Sequence, residues 1–240
     1  MFENYIFENQ DESLEQIEIR ILRSLKLKGE ILADLGGGYG RLSSIINNDF
    51  DKVYLVDYSK ANLTKFKKMK KGKSTCAIRA DFTKPLFKNN SIDVIISFRT
   101  VHHYDSPVFI KEWINYLKPG GRLLFNIDNL MNITIIYDII KNKDKVEIPP
   151  SHMKYCLVDD GLRICFHNEK LIYKLLKEEI ENKKITVETI NYGLMHRRKL
   201  ENFIETRFNK FYNSYIISET EKRILTPFYN FILFHITKIK

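Results

Sequence analysis

At 240 residues, 44% of them hydrophobic and 29% charged, the chain is long enough to bury a full core in one domain, and a fibrous or disordered chain is excluded. No apolar run approaches the roughly 20 residues of a membrane span, and Met1-Phe2-Glu3-Asn4 lacks the basic start and apolar stretch of a signal peptide. The formal charge of +9 suits acidic partners without naming one, and the three cysteines (Cys76, Cys156, Cys165) show no metal-ligand spacing, so reduced thiols in a cytoplasmic protein with no metal site are expected.

The predicted elements alternate. Ser13-Leu14-Glu15-Gln16 has the form of a capping box, and Leu14, Ile17, Ile21 and Leu25 follow at helical spacing up to a stop at Gly29. Ile31–Leu35 is a first strand, ended by a glycine-rich turn, and Lys52–Asp57, Thr75–Ala80 and Ile92–Phe98 are the next three. Ser106-Pro107 opens a helix with Ile110, Trp113, Ile114 and Leu117 on its buried stripe, and Lys118-Pro119-Gly120-Gly121 closes it. Arg122–Ile127 is the fifth strand. A helix from Asn168 carries Leu171, Ile172, Leu175, Leu176 and Ile180 on one face, and Ile185–Ile190 and Phe231–Thr237 are the last strands. Strands alternating with helices predict an α/β fold with a mostly parallel sheet between two helical layers.

Ligands of such sheets bind beyond the carboxyl ends of the strands. The first strand ends there in Asp34-Leu35-Gly36-Gly37-Gly38-Tyr39-Gly40, or D-x-G-x-G-x-G. A dinucleotide turn reads G-x-G-x-x-G and would need glycine or alanine where Arg41 stands, so the spacing speaks against a pyrophosphate ligand. Asp57 ends the second strand about twenty residues on, where a carboxylate can accept bonds from ribose hydroxyls.

Together these residues resemble the class I S-adenosylmethionine-dependent methyltransferases, closely from Ile31 to Gly121 and loosely to the C-terminus. The resemblance implies a Rossmann-like three-layer sandwich of seven strands, the last one (Phe231–Thr237) antiparallel, in a single domain over residues 1–240. It implies S-adenosyl-L-methionine as cofactor, with its methionine part at Asp34, Gly36, Gly38 and Gly40 and its ribose at Asp57 beside Tyr58. The family's adenine contacts fall on Asp81 and Phe82, and Leu117–Gly121 resembles its turn before the fifth strand. Phe98, with Arg99-Thr100-Val101-His102-His103-Tyr104, resembles the segment beside the transferred methyl group.

His102 and His103 are the candidate bases there, because imidazole titrates near neutral pH. Arg99 could hold an acidic substrate or, the safer reading, a neighbouring carboxylate. The segment has no Asn/Asp-Pro-Pro-aromatic motif, which disfavours methylation of nucleic-acid amino groups. The lysines from Lys60 to Lys73 read more simply as a solvated face than as a phosphate track. Residues 130–166 contain a hairpin pattern and form a lid or substrate segment. Residues 195–226 carry Leu200, Phe203, Ile204, Phe208, Phe211, Tyr212 and Tyr215 at helical spacing, an aromatic insertion. A small-molecule methyl acceptor, apolar or aromatic, is the leading expectation. An RNA or protein methyltransferase and a non-catalytic cofactor-binding subunit are the alternatives, and the sequence leaves the oligomeric state open.

Overall fold

The computed structural model describes residues 12–69, 75–130, 132–141, 146–147, 155–159, 162–194 and 229–240. Its frame is five parallel strands: β1 (Gly29–Leu35), β2 (Phe50–Asp57), β3 (Thr75–Arg79), β4 (Ile92–Ser97) and β5 (Leu117–Asp128). A separate three-stranded antiparallel sheet is made of β6 (Val146–Glu147), β7 (Tyr155–Asp159) and β8 (Leu162–Phe166). Strands β9 (Ile185–Leu194) and β10 (Tyr229–Lys238) complete the main sheet, whose order is β3-β2-β1-β4-β5-β10-β9. β10 runs antiparallel to both its neighbours, β5 and β9. Order therefore reverses between β1 and β4, so a crevice is expected at their carboxyl ends.

Helices cover both faces. On one, Ile110, Trp113 and Ile114 of α4 (Phe109–Tyr116) and Ile172 of α6 (Glu169–Leu175) pack on Ile95, Leu123 and Phe125. On the other, Leu14, Ile21 and Leu22 of α1 (Glu12–Ser24) and Ile46 of α2 (Ser43–Ile46) pack on Leu32, Val53 and Ile96. Helix α3 (Lys60–Met69) buries Leu63 and Phe66 against Leu55. The strands are nearly continuous apolar runs because both faces are covered.

Three local expectations change. The first helix ends not at Gly29 but at Ser24, and Lys26, with a left-handed φ of 46°, closes the turn that follows as Lys26 N bonds Arg23 O. Pro107 does not open a regular helix: Ile110 N bonds Pro107 O and Lys111 N bonds Val108 O, a tight first turn before α4. The helix after Asn168 is two short ones, α6 and α7 (Lys177–Glu181), because Leu176 leaves helical geometry (φ −95°, ψ 6°). The Asn168 side chain does cap α6, accepting from Lys170 N.

Within 130–166, α5 (Ile133–Lys141) follows β5, and the expected hairpin is present as β7 and β8. The expected insertion 195–226 lies outside the described residues. Among the described residues no helix is long and apolar enough to cross a membrane.

Candidate functional site

The glycine turn sits at the carboxyl end of β1, closed by Gly36 N to Val56 O (2.8 Å) and Gly40 N to Gly37 O (2.9 Å). Its glycines answer to different needs. Gly36 has φ 70°, and a Cβ there would lie 2.2 Å from Thr100 Cγ2, so it is required by the protein's own packing. Gly38 also has positive φ (59°), but the nearest atom to an added Cβ is Asn62 Nδ2 at 3.8 Å. That face is open for a ligand to approach the backbone.

Asp34 lies under the turn, 3% exposed, and its Oδ2 has no hydrogen-bond partner. Burial, the largest cause, pushes its pKa up to about 6, against the pull of Ser43 and Arg41. An orphaned buried carboxylate is costly unless a cation completes it.

Asp57 is more committed to the protein than a strand-end acid need be. Its Oδ2 accepts from Gly38 N (2.8 Å), and its Oδ1 from Ser59 N (2.8 Å) and Asn62 Nδ2 (3.3 Å). The carboxylate thus ties the glycine turn to the start of α3. Burial raises its pKa, and the same backbone and amide donors pull it back. Tyr58 beside it is exposed, with the Arg79 guanidinium 5.7 Å from its ring centre.

At the end of β3, Asp81 Oδ1 accepts from both Thr83 N (2.9 Å) and Thr83 Oγ1 (2.7 Å). Phe82 is a packing residue: its ring contacts Tyr104, Phe109 and Trp113, and its carbonyl accepts from Trp113 Nε1. Phe98 is likewise buried, in the cluster that includes Leu14 and Ile21 of α1. Tyr104, whose hydroxyl pKa is raised by burial and by the charges of Asp81 and Asp57, stands by both acids.

Beyond β4 the chain makes one 3-10 turn, Val101–His103. The rings of His102 and His103 meet edge to face at 4.3 Å, and His102 Nδ1 lies 2.8 Å from Asp128 Oδ2 at the end of β5. His167, just past β8, is 1% exposed, and its Nε2 donates to Val101 O at 3.2 Å. Burial, chiefly, lowers its pKa to about 4, so it is neutral at physiological pH. Cys165 Sγ reaches Asp105 Oδ1 at 3.5 Å, so β8 is bound to this turn at two points.

Arg99 holds a carboxylate, the safer of its two readings. Its Nε and Nη2 bond Glu18 Oε1 (2.9 Å) and Oε2 (3.0 Å) as a fork. Arg41 Nη2 (2.8 Å) and the Tyr192 hydroxyl (3.1 Å) bind the same Glu18, which is fully buried. Arg99 has φ 55°, and its N donates to Asn126 Oδ1 at 2.6 Å, so a strained backbone is held by two partners, Glu18 and Asn126.

Sequence reasoning missed Glu18, Asp128, His167, Tyr192 and the anchoring role of Asn62. Glu18 had a signal, an acid inside the apolar stripe of α1 between Leu14 and Ile21. Asp128 had one too, an acid at the carboxyl end of a central strand. His167 and Tyr192 are brought in by tertiary structure alone.

Residues 33–125 match the family of the methyltransferase domain. No curated protein matches the chain in sequence. Among solved structures, a Listeria monocytogenes protein assigned to the S-adenosylmethionine-dependent methyltransferases is 13% identical (TM-score 0.63), the match covering 96% of this chain and all of that one. The methyltransferase in complex with the Haloferax volcanii Trm112 activator is 12% identical (TM-score 0.59), over 95% of this chain and 92% of that one. Phosphoethanolamine N-methyltransferase 2 of Haemonchus contortus, in complex with phosphomonomethylethanolamine and S-adenosylhomocysteine, is 16% identical (TM-score 0.58), over 94% of this chain and 53% of that one. At such identities the structural likeness is one of fold, and the assignment rests on the matched domain, which spans the glycine turn, Asp57 and the turn after β4. Residues 33–125 thus form a methyltransferase domain, and the chain shares its fold with solved S-adenosylmethionine-dependent methyltransferases.

Proposed function

We propose that this enzyme transfers the methyl group of S-adenosylmethionine to a small-molecule acceptor. The observation that carries the reading is the cover over the transfer end: β8 packs on Val101–His103, fastened through His167 to Val101 and through Cys165 to Asp105. A turn covered by a strand suits a small acceptor better than a folded RNA or protein. The described lysines of α3 fit a solvated face, with Lys60, Lys67 and Lys68 exposed and Lys65 resting 4.2 Å from the Tyr39 ring centre.

The residues present fit the cofactor. Asp34 offers its orphaned oxygen to the methionine ammonium, Gly38 its open backbone face, and Asp57 the remaining lone pair of Oδ2 to a ribose hydroxyl. Asp81 and the backbone of Phe82, with Tyr58 alongside, line the adenosine end. The cofactor brings a methyl group already activated by its sulfonium, so the protein aligns the acceptor, keeps water out and accepts a proton where one is lost.

The deciding experiment supplies methyl-labelled S-adenosylmethionine with the small-molecule, RNA and protein fractions of a cell extract. Label should enter the small-molecule fraction. Label confined to RNA or protein sinks the acceptor class, and no label anywhere with intact cofactor binding leaves a non-catalytic binding subunit.

Asp34 gives the cofactor site a pH dependence. Its folded pKa, about 6, stands above the ordinary 3.8, so its contribution to stability is full below pH 3.8 and lost as pH rises through 6. Cofactor binding has the opposite sign, because an ammonium favours the ionised acid. Affinity for S-adenosylhomocysteine should therefore rise with pH up to about 6, with proton release on binding at pH 5 that fades by pH 7.5. Calorimetry in buffers of different ionisation enthalpy reads this directly, and Asp34→Asn should abolish the release. Release that persists in the variant would assign it to another group.

A further inference from the structure

We infer that Cys156 and Cys165 form a redox-responsive dithiol site, a cross-strand pair that closes to a disulfide by exchange with a small-molecule disulfide. Closing it withdraws the β8 thiol from Asp105, beside the turn after β4.

The strand register carries the inference. Cys156 of β7 stands directly opposite Cys165 of β8 in an antiparallel pair. The hairpin closes at Asp159 opposite Leu162, with only Asp160 and Gly161 between them in the chain. In a two-residue hairpin the closing pair exchanges both backbone hydrogen bonds, and bonded and non-bonded pairs alternate from there. Cys156 and Cys165 lie three steps from the closing pair, which makes them a non-hydrogen-bonded pair. Residues so paired share one face of the sheet with Cα atoms about 4.5 Å apart, inside the roughly 4.4–6.8 Å that a disulfide spans. A slip of one residue would put the two cysteines on opposite faces. The third cysteine, Cys76, is exposed on the edge strand β3, and the residue opposite it is Tyr54.

The site is placed where closing it matters. Cys165 is fully buried, and its S–H donates to Asp105 Oδ1 at 3.5 Å. A disulfide sulfur has no hydrogen to donate, so oxidation breaks this tie while His167 keeps its bond to the Val101 carbonyl. The exchange is balanced with a disulfide such as oxidised glutathione as oxidant. The thiolate of one cysteine displaces one glutathione thiol and forms a mixed disulfide. The opposite cysteine then attacks the protein sulfur of that bond and releases the second glutathione. Two protein thiols are oxidised, the glutathione S–S bond is reduced, and the two protons go to the departing thiols. In a reducing compartment such a bond is transient, which suits sensing rather than structure. Its effect on methyl transfer rests on the reading above, which puts the turn after β4 at the transfer end.

The test equilibrates the full-length protein with glutathione at set ratios of oxidised to reduced form, then alkylates the remaining thiols for mass spectrometry. One disulfide within each chain should form, joining the peptides of Cys156 and Cys165. Cys76→Ser should leave it in place, and Cys156→Ser should abolish it. A cross-link through Cys76, or a glutathione adduct on the wild-type protein that never closes, overturns the pair. Hydrogen exchange reads the tie to Asp105 without any acceptor. His103 N and Tyr104 N bond Thr100 O and Val101 O within the turn. Oxidation should speed exchange of these amides by about fivefold, the share of one hydrogen bond, and dithiothreitol should reverse it. Unchanged exchange in the fully oxidised protein overturns the loss of the tie. Labelled methyl transfer should fall by a similar factor in the oxidised wild type and hold steady in Cys156→Ser. A wild-type protein that transfers no label in either state counts against the methyl-transfer reading alone, and the mass and exchange results still decide the dithiol site.

Discussion

Asp57→Ala is expected to weaken S-adenosylhomocysteine binding by roughly ten- to a thousand-fold, one or two charge-assisted bonds at about 1.5–3 kcal/mol each. From sequence, such an acid ends a strand at a cleft and its removal spares the fold. The structure adds a second cost. With the carboxylate gone, Gly38 N, Ser59 N and the Asn62 amide lose their acceptor in a buried setting. Loss of about 2–4 kcal/mol in stability should follow, since a buried donor left unpaired costs about 1–3 kcal/mol. The two effects separate through Asp57→Asn, which keeps one acceptor oxygen. If that oxygen stays on the Ser59 side, the melt recovers more than the affinity. Calorimetric affinity beside a thermal melt of each variant checks both. Unchanged affinity in a folded Asp57→Ala protein would show that the ribose is held elsewhere.

The frame of the site was legible because two simple periodicities carry it. Ile31–Leu35 and Ile92–Phe98 are mainly apolar runs too short for helices, and the first ends in glycines that turn the chain. The turn Asp34–Gly40 follows from glycine alone, although the reason differs along it. The usual argument, that glycine admits a ligand, fits Gly38, whereas Gly36 is fixed by Thr100 from the turn after β4, 64 residues away in the chain. No reading of local spacing separates those two cases.

What stayed illegible is what the parallel sheet assembles from distant places. Asp128 and His102 lie on neighbouring strands' ends, so only the β4–β5 register puts them together. His167 comes from beyond a separate small sheet whose position over the 3-10 turn no periodicity announces. Phe82 and Phe98 were read as cofactor contacts from motif position, but a motif does not say where a side chain points. Both rings are in the core. The single helix expected after Asn168 shows the complementary limit, since a continuous apolar stripe hides the break at Leu176.

Glu18→Ala is expected to be the most destabilising single change outside the apolar core. The acid is fully buried and answers two guanidinium groups and a tyrosine hydroxyl, joining α1 to the end of the glycine turn, to the turn after β4 and to β9. Removing one partner of a buried ion pair costs about 3–5 kcal/mol, because the remaining charges stay buried without compensation. In a chain of this length that lowers the melting temperature by roughly 10 °C, at about 2–4 °C per kcal/mol. Glu181→Ala is the control. Glu181 also pairs with a cation, Lys177, at 3.6 Å, but both side chains are well over half exposed, and its loss should move the melt by about 1 °C or less. Glu18→Gln should fall between the two, since the amide keeps its shape and one acceptor. Turnover should suffer more than cofactor affinity in either Glu18 variant. Arg99 keeps its left-handed backbone only under the joint hold of Glu18 and Asn126, and it leads directly into Thr100–His103. Relaxing Arg99 toward negative φ would displace His102 from Asp128 without touching Asp34 or Asp57. A Glu18→Ala protein that melts like Glu181→Ala would mean that the two arginines find other partners, and that the buried acid is not what fastens α1 to the site.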